Sequence, residues 1–207
     1  MILHSLRHSG WLALVACTAA AACSKQPATE TAYVSANVGP GSGDAETLCS
    51  ALGSQQSFLT VGEMLSPTQP TTVPEGTNNL TVNCSVTPGA NGGYAIQLDA
   101  ALPGPQELIV TGNVDGTTGG TVYAEFVNSM WGAFQQSDCT LTYTYFNADI
   151  PMNERIASGS IFAHVSCPEA VIQGGSITGS QIMLPDGGYA NETCDAEADF
   201  LFQNCSD

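Results

Sequence analysis

Residues 80–87 read Leu80-Thr81-Val82-Asn83-Cys84-Ser85-Val86-Thr87, and such strict alternation of apolar with polar side chains marks a strand buried on one face. Leu80, Val82, Cys84 and Val86 take the core side; Thr81, Asn83, Ser85 and Thr87 take the solvent side. The period of two then recurs downstream. Past the turn Pro88-Gly89-Ala90-Asn91-Gly92-Gly93, the residues Tyr94, Ile96, Leu98 and Ala100 share a face, with Gln97 and Asp99 opposite, until Pro103-Gly104-Pro105 breaks the run. Glu107 to Val114 and Thr121 to Asn128 read as strands joined by the hairpin signal Asp115-Gly116-Thr117-Thr118-Gly119-Gly120. Cys139 to Phe146, Ile156 to Cys167 and Ala196 to Gln203 extend the pattern, and the Gly- and Ser-rich Gln173 to Leu184 is a weaker candidate.

Upstream, Asp44 is placed to cap a short helix over Ala45 to Leu52, with Gly53 as its stop. About seven or eight short strands, one N-terminal helix and no βαβ alternation predict an all-β domain, an antiparallel β-sandwich or flattened barrel. No sequence repeat runs through the chain, which argues against a propeller or solenoid.

Composition narrows the partners. Three Lys and Arg face 19 Asp and Glu, a formal net charge of −16. Three basic residues in 207 are too few to neutralise phosphates, so nucleic acid is excluded as a partner. The negative charge is dispersed, as on a surface that stays soluble by self-repulsion, and it favours cations, Ca²⁺ among them.

The stretch from Trp11 to Lys25, WLALVACTAAAACSK, follows the basic Arg7 and is too short in its apolar part to span a bilayer as a helix. Ending in small residues and a cysteine, it resembles the lipobox of bacterial lipoproteins, which implies cleavage before a cysteine that carries acyl chains of the palmitate type. Leu14-Val15-Ala16-Cys17 and Ala20-Ala21-Ala22-Cys23 compete for that role. Cleavage before Cys23 leaves Cys49, Cys84, Cys139, Cys167, Cys194 and Cys205 as an even set, whereas cleavage before Cys17 strands an odd thiol. Parity therefore assigns the lipid to Cys23.

The expected organisation is a signal peptide over residues 1–22, a lipidated cysteine and flexible tether over 23–43, and a β-sandwich domain over 44–207. Tyr33 and Val34 would alternatively add a short strand. After signal removal Lys25 and Arg155 stand against all 19 acids, a net charge of about −17. Under the sorting pattern of Gram-negative lipoproteins, Ser24 after the lipidated cysteine implies the outer membrane. Cys167-Pro168, then Cys194, then Phe202-Gln203-Asn204-Cys205 is similar to a pattern in uncharacterised β-rich envelope lipoproteins of Gram-negative, deltaproteobacterial-type species. That resemblance implies a sandwich lipoprotein and supplies no active-site residues.

Six cysteines permit 15 pairings. The expectation is Cys49 with Cys84, Cys139 with Cys167 and Cys194 with Cys205. His164 is the one histidine after the signal and lies mid-strand, on the face opposite Ala163 and Val165; a catalytic role would require a partner serine, and no G-x-S-x-G elbow is present. Arg155 follows Glu154, so it reads as a salt bridge or an anion contact. Glu192, Asp195, Glu197 and Asp199, or Asp149, Asn153 and Glu154, offer oxygens to Ca²⁺, although neither run matches an EF-hand loop and the first would form a solvated stripe along a strand. Trp131 and Phe134 would form an aromatic contact for sugar or protein, or cap one end of the sandwich. Asn79, Asn83, Asn191 and Asn204 begin N-x-Ser/Thr sequons of little meaning in a bacterial lipoprotein.

The functional expectation is a non-enzymatic, lipid-anchored binding or adhesion-type module at the outer membrane, with a protein or glycan partner. It carries no catalytic residue, metal ligand or cofactor. A small-ligand or Ca²⁺ carrier with a barrel interior, and an envelope hydrolase, are the alternatives.

Overall fold

A computed structural model describes residues 28–40, 49, 52–66, 69–145, 148–173, 181–183, 189–191 and 193–207. The first half of the chain forms β1 (Thr31–Gly39), β2 (Gln56–Val61), β3 (Glu63–Ser66), β4 (Gln69–Thr71), β5 (Val73–Pro74), β6 (Thr81–Pro88), β7 (Gly93–Leu102) and β8 (Gln106–Asp115). The second half forms β9 (Gly120–Asn128), β10 (Gly132–Thr142), β11 (Thr144–Tyr145), β12 (Ala148–Asp149), the single-turn helix α1 (Met152–Arg155), β13 (Ile156–Ala157) and β14 (Ser160–Gln173). Then come β15 (Gln181–Met183), β16 (Tyr189–Asn191) and β17 (Thr193–Gln203).

One antiparallel sheet runs in the order β2-β1-β17-β14-β10-β9-β8-β7-β6, with β5 joined to β1 and β13 to β14. The main path has nine strands rather than seven or eight, and both additions lie at the N-terminal end. β6 to β9 form a meander because each is a single-faced strand followed by a tight turn. At the β8–β9 turn the backbone of Gly119 has φ +86, and a Cβ there would sit 2.0 Å from the Leu141 carbonyl oxygen, so only glycine fits.

The sheet curls until its β6 edge meets the residues that follow β17. Val86 N–H donates to the Ser206 carbonyl (3.0 Å), Ser206 N–H donates to Cys84 (2.9 Å) and Gly159 N–H donates to Val86 (3.1 Å). The Cys84–Cys205 disulfide fastens the same seam. At the other edge β2 packs against β8 and β9. The result is a flattened barrel whose interior is a packed core. Phe126, Phe134, Phe200 and Phe202 are fully buried and interleave with the small Ala124, Ala163 and Ala198. Burying each phenylalanine contributes about 1.5–3 kcal/mol.

Two expectations change here, and a third lies outside the described residues. The stretch read as a tether contains β1, which pairs with β17 from Thr31↔Gln203 to Gly39↔Asp195 and lies inside the sheet. The disulfides are Cys49–Cys194, Cys84–Cys205 and Cys139–Cys167, so only the last pairing follows the sequence expectation. Curling brings the first strong strand to the C terminus, which puts Cys84 beside Cys205 and leaves Cys194 for Cys49. The helix expected over Ala45 to Leu52 falls outside the described residues apart from Cys49 and Leu52, both buried.

Candidate functional site

The most elaborated part of the surface is where β10 and β14 both bulge. β10 gains one residue against β9 between Gln136 and Cys139, and β14 gains one against β17 between Cys167 and Ala170. Between them the β10–β14 ladder is interrupted, with Gln135↔Val171 on one side and Thr140↔Ser166 on the other. The Cys139–Cys167 disulfide bridges the gap at a Cα–Cα distance of 4.5 Å, both cysteines fully buried. A bulge re-aims side chains out of the regular pleat. Here the extra residues turn Ser137, Asp138 and Glu169 outward around a cleft of about 410 Å³, which Tyr123, Gln135 and Gln173 complete.

Gln136 holds the two bulges in one conformation. Its Nε2 donates to Asp138 Oδ1 (2.9 Å) and its Oε1 accepts from the Glu169 N–H (2.9 Å). On the cleft wall the Tyr123 hydroxyl lies 2.8 Å from Glu125 Oε2 and 3.0 Å from Gln135 Oε1. Burial, then the adjacent Glu125, push the Tyr123 phenol up to about 12, so it stays protonated and donating.

A second polar group crosses the outer face of β17 and β14. Asp195, Glu197 and Asp199 alternate with buried Cys194, Ala196 and Ala198, and His164 stands directly opposite Asp199. His164 Nδ1 is 2.9 Å from Asp199 Oδ1. Burial pulls the imidazole pKa down, but the hydrogen bond to Asp199 and the charges of Asp199, Glu197 and Asp195 outweigh it and hold the value above the ordinary one. Burial raises Asp195 and Glu197, and His164 opposes that rise. Among the described residues no serine hydroxyl bonds His164, and no group of three His, Cys, Asp or Glu side chains is placed to hold a metal ion.

The remaining sequence candidates scatter. Asp149, Asn153 and Glu154 lie exposed around α1, and Asn153 and Glu154 border a separate cleft of about 650 Å³ floored by Phe162 and Leu201. Arg155 makes no salt bridge with Glu154. Its Nε donates to the Ile150 carbonyl (2.7 Å), its Nη1 donates to the Thr117 carbonyl (2.8 Å), and the guanidinium lies 5.7 Å from the Tyr143 ring centroid. With two of its nitrogens on backbone carbonyls, it is a strut between α1 and the β8–β9 turn rather than an anion receptor.

Phe134 is fully buried and meets Phe58 edge-on at 5.5 Å, while Trp131 packs partly buried against the core. They therefore belong to the core and form no exposed aromatic pair. Asn83 bonds Asp99, and Asn204 bonds the Thr29 carbonyl. Cys17, Cys23 and Glu192 lie outside the described residues.

Sequence reasoning missed the bulged cleft altogether. The one signal for it was that the regular period fails just before Cys139 and just after Cys167. Comparison with protein families, with curated proteins and with solved structures yields no match.

Proposed function

We propose that the protein is a lipid-anchored envelope lipoprotein, held at the outer membrane through Cys23, whose flattened β-barrel is a non-enzymatic binding module. The lipobox-like stretch ending at Cys23 carries this reading. The pairing of all six downstream cysteines with one another supports it, because none of them needs Cys23 as a partner. β1 begins at Thr31, so the chain from Cys23 spans at most about 28 Å, at roughly 3.3–3.6 Å per residue, and the domain stays close to the headgroups. Because the interior is a packed core, a partner meets the outer surface.

Intact mass and non-reducing peptide mapping of the protein recovered from its membrane fraction test the proposal. The expected result is a chain starting at an acylated Cys23 with three internal disulfides. An unmodified Cys23 would overturn it.

A further inference from the structure

We propose that the cleft between the two bulges binds a neutral, polyhydroxylated ligand, a glycan. The inference rests on the reading of the domain as a binding module and names the chemistry of its partner. Its first support is the wall composition. Around the cleft stand two carboxylates (Asp138, Glu169), amides (Gln135, Gln173), the Ser137 hydroxyl and the Tyr123 ring. A hydroxyl is both donor and acceptor; carboxylates accept from it, and amides and hydroxyls do both.

The same wall excludes other classes. Among the described residues no Lys or Arg borders the cleft, so an anion would face the Asp138 and Glu169 carboxylates with no cation to offset them. Among the described residues Tyr123 and Val171 are its only apolar contributors, which is too little for a lipid or an apolar ligand but suits the C–H face of a sugar ring. Among the described residues no group of three His, Cys, Asp or Glu side chains is placed to hold a metal ion, at the cleft or elsewhere.

The second support is rigidity. The Cys139–Cys167 disulfide and the two Gln136 hydrogen bonds fix the bulge backbone, and the Tyr123 hydroxyl is held by Glu125, so this part of the wall is ordered before any ligand arrives. Pre-ordering removes much of the entropic cost that weakens binding by long polar side chains. A volume of about 410 Å³ falls within the range of small-molecule sites.

The test uses the full chain in a zwitterionic detergent and titrates it by calorimetry with cellotriose, maltotriose and chitotriose, and separately with spermidine. The expected result is saturable binding of at least one neutral trisaccharide. Glu169→Ala and Gln173→Ala remove exposed side chains and keep the Glu169 backbone N–H that bonds Gln136, so each should weaken binding about fivefold or more without lowering the melting temperature. Asn153→Ala, in the other cleft, should leave it unchanged. Binding of spermidine with no saccharide binding, saccharide binding insensitive to both cleft variants, or no binding of any probe would each overturn the proposal. The mass of Cys23 on the same preparation reads the anchor independently, so failure of the cleft and failure of the lipoprotein reading are separate results.

Discussion

Replacing Cys84 and Cys205 together by alanine opens the seam that makes the sheet a barrel, and its cost follows from chain connectivity. Taken alone, this bridge closes a loop with a sequence separation of 121, for which loop-closure entropy gives about 4.9 kcal/mol at 25 °C. The Cys49–Cys194 bridge already shortens the path. From Cys84 back to Cys49 is about 35 residues and from Cys194 on to Cys205 about 11, so the cross-linked unfolded chain closes a loop of about 46 and the expected loss is about 4 kcal/mol. That corresponds to a fall in melting temperature of about 8–16 °C for a domain of this size.

Guanidinium unfolding of the double variant against the parent measures the loss, and hydrogen exchange locates it. Val86 and Ser206, whose amides complete the seam, should lose protection first. A loss under about 1 kcal/mol would refute the connectivity argument. Protection lost uniformly across the sheet, with Val86 and Ser206 no worse than the rest, would refute the seam as the local point of opening.

Arg155→Ala should cost about 2–3 kcal/mol, since it leaves the Ile150 and Thr117 carbonyls without their charged donor, and Arg155→Lys should recover only part because an ammonium lacks the planar fork; urea melts of both variants check this. His164 has a folded pKa above its ordinary 6.5, so its contribution is fully present below about pH 6.5 and is lost as pH rises through the folded value. Melting temperature should therefore fall toward alkaline pH, and His164→Gln should flatten that slope; an unchanged slope would remove the imidazole from the account. Phe58→Ala should cost about 3–5 kcal/mol by emptying the edge-on contact with Phe134, read as a lower denaturation midpoint with an unchanged slope.

The meander from β6 to β9 was legible because each strand buries one face and leaves the other wet, which a period of two records faithfully. β1 was not, although its residues favour strands. Tyr33 and Val34 are adjacent and both buried, one inside the barrel and the other beneath the excursion between β2 and β5, where Tyr33 shares a 3.4 Å contact with the Tyr145 hydroxyl. A strand covered on both faces does not alternate, and its partner β17 lies more than 150 residues away. β2 was hidden differently. Its pairing with β1 shifts at Phe58, so that Phe58 and Leu59 are buried side by side, and the pattern reads as a random apolar pair.

The cleft and the limit of the sequence reading have one physical origin. Periodicity placed one strand starting at Cys139 and another ending at Cys167, whereas β10 begins at Gly132 and β14 continues to Gln173. Each reading broke off at the bulge, because an inserted residue reverses the face of everything beyond it. A bulge costs ladder hydrogen bonds, and this pair adds a disulfide and a bridging glutamine to hold it. A regular pair of strands would have continued the sheet more simply. The departure is therefore concentrated where β10 and β14 give up pairing to turn polar side chains outward, and that is the expected place for function to override local pattern.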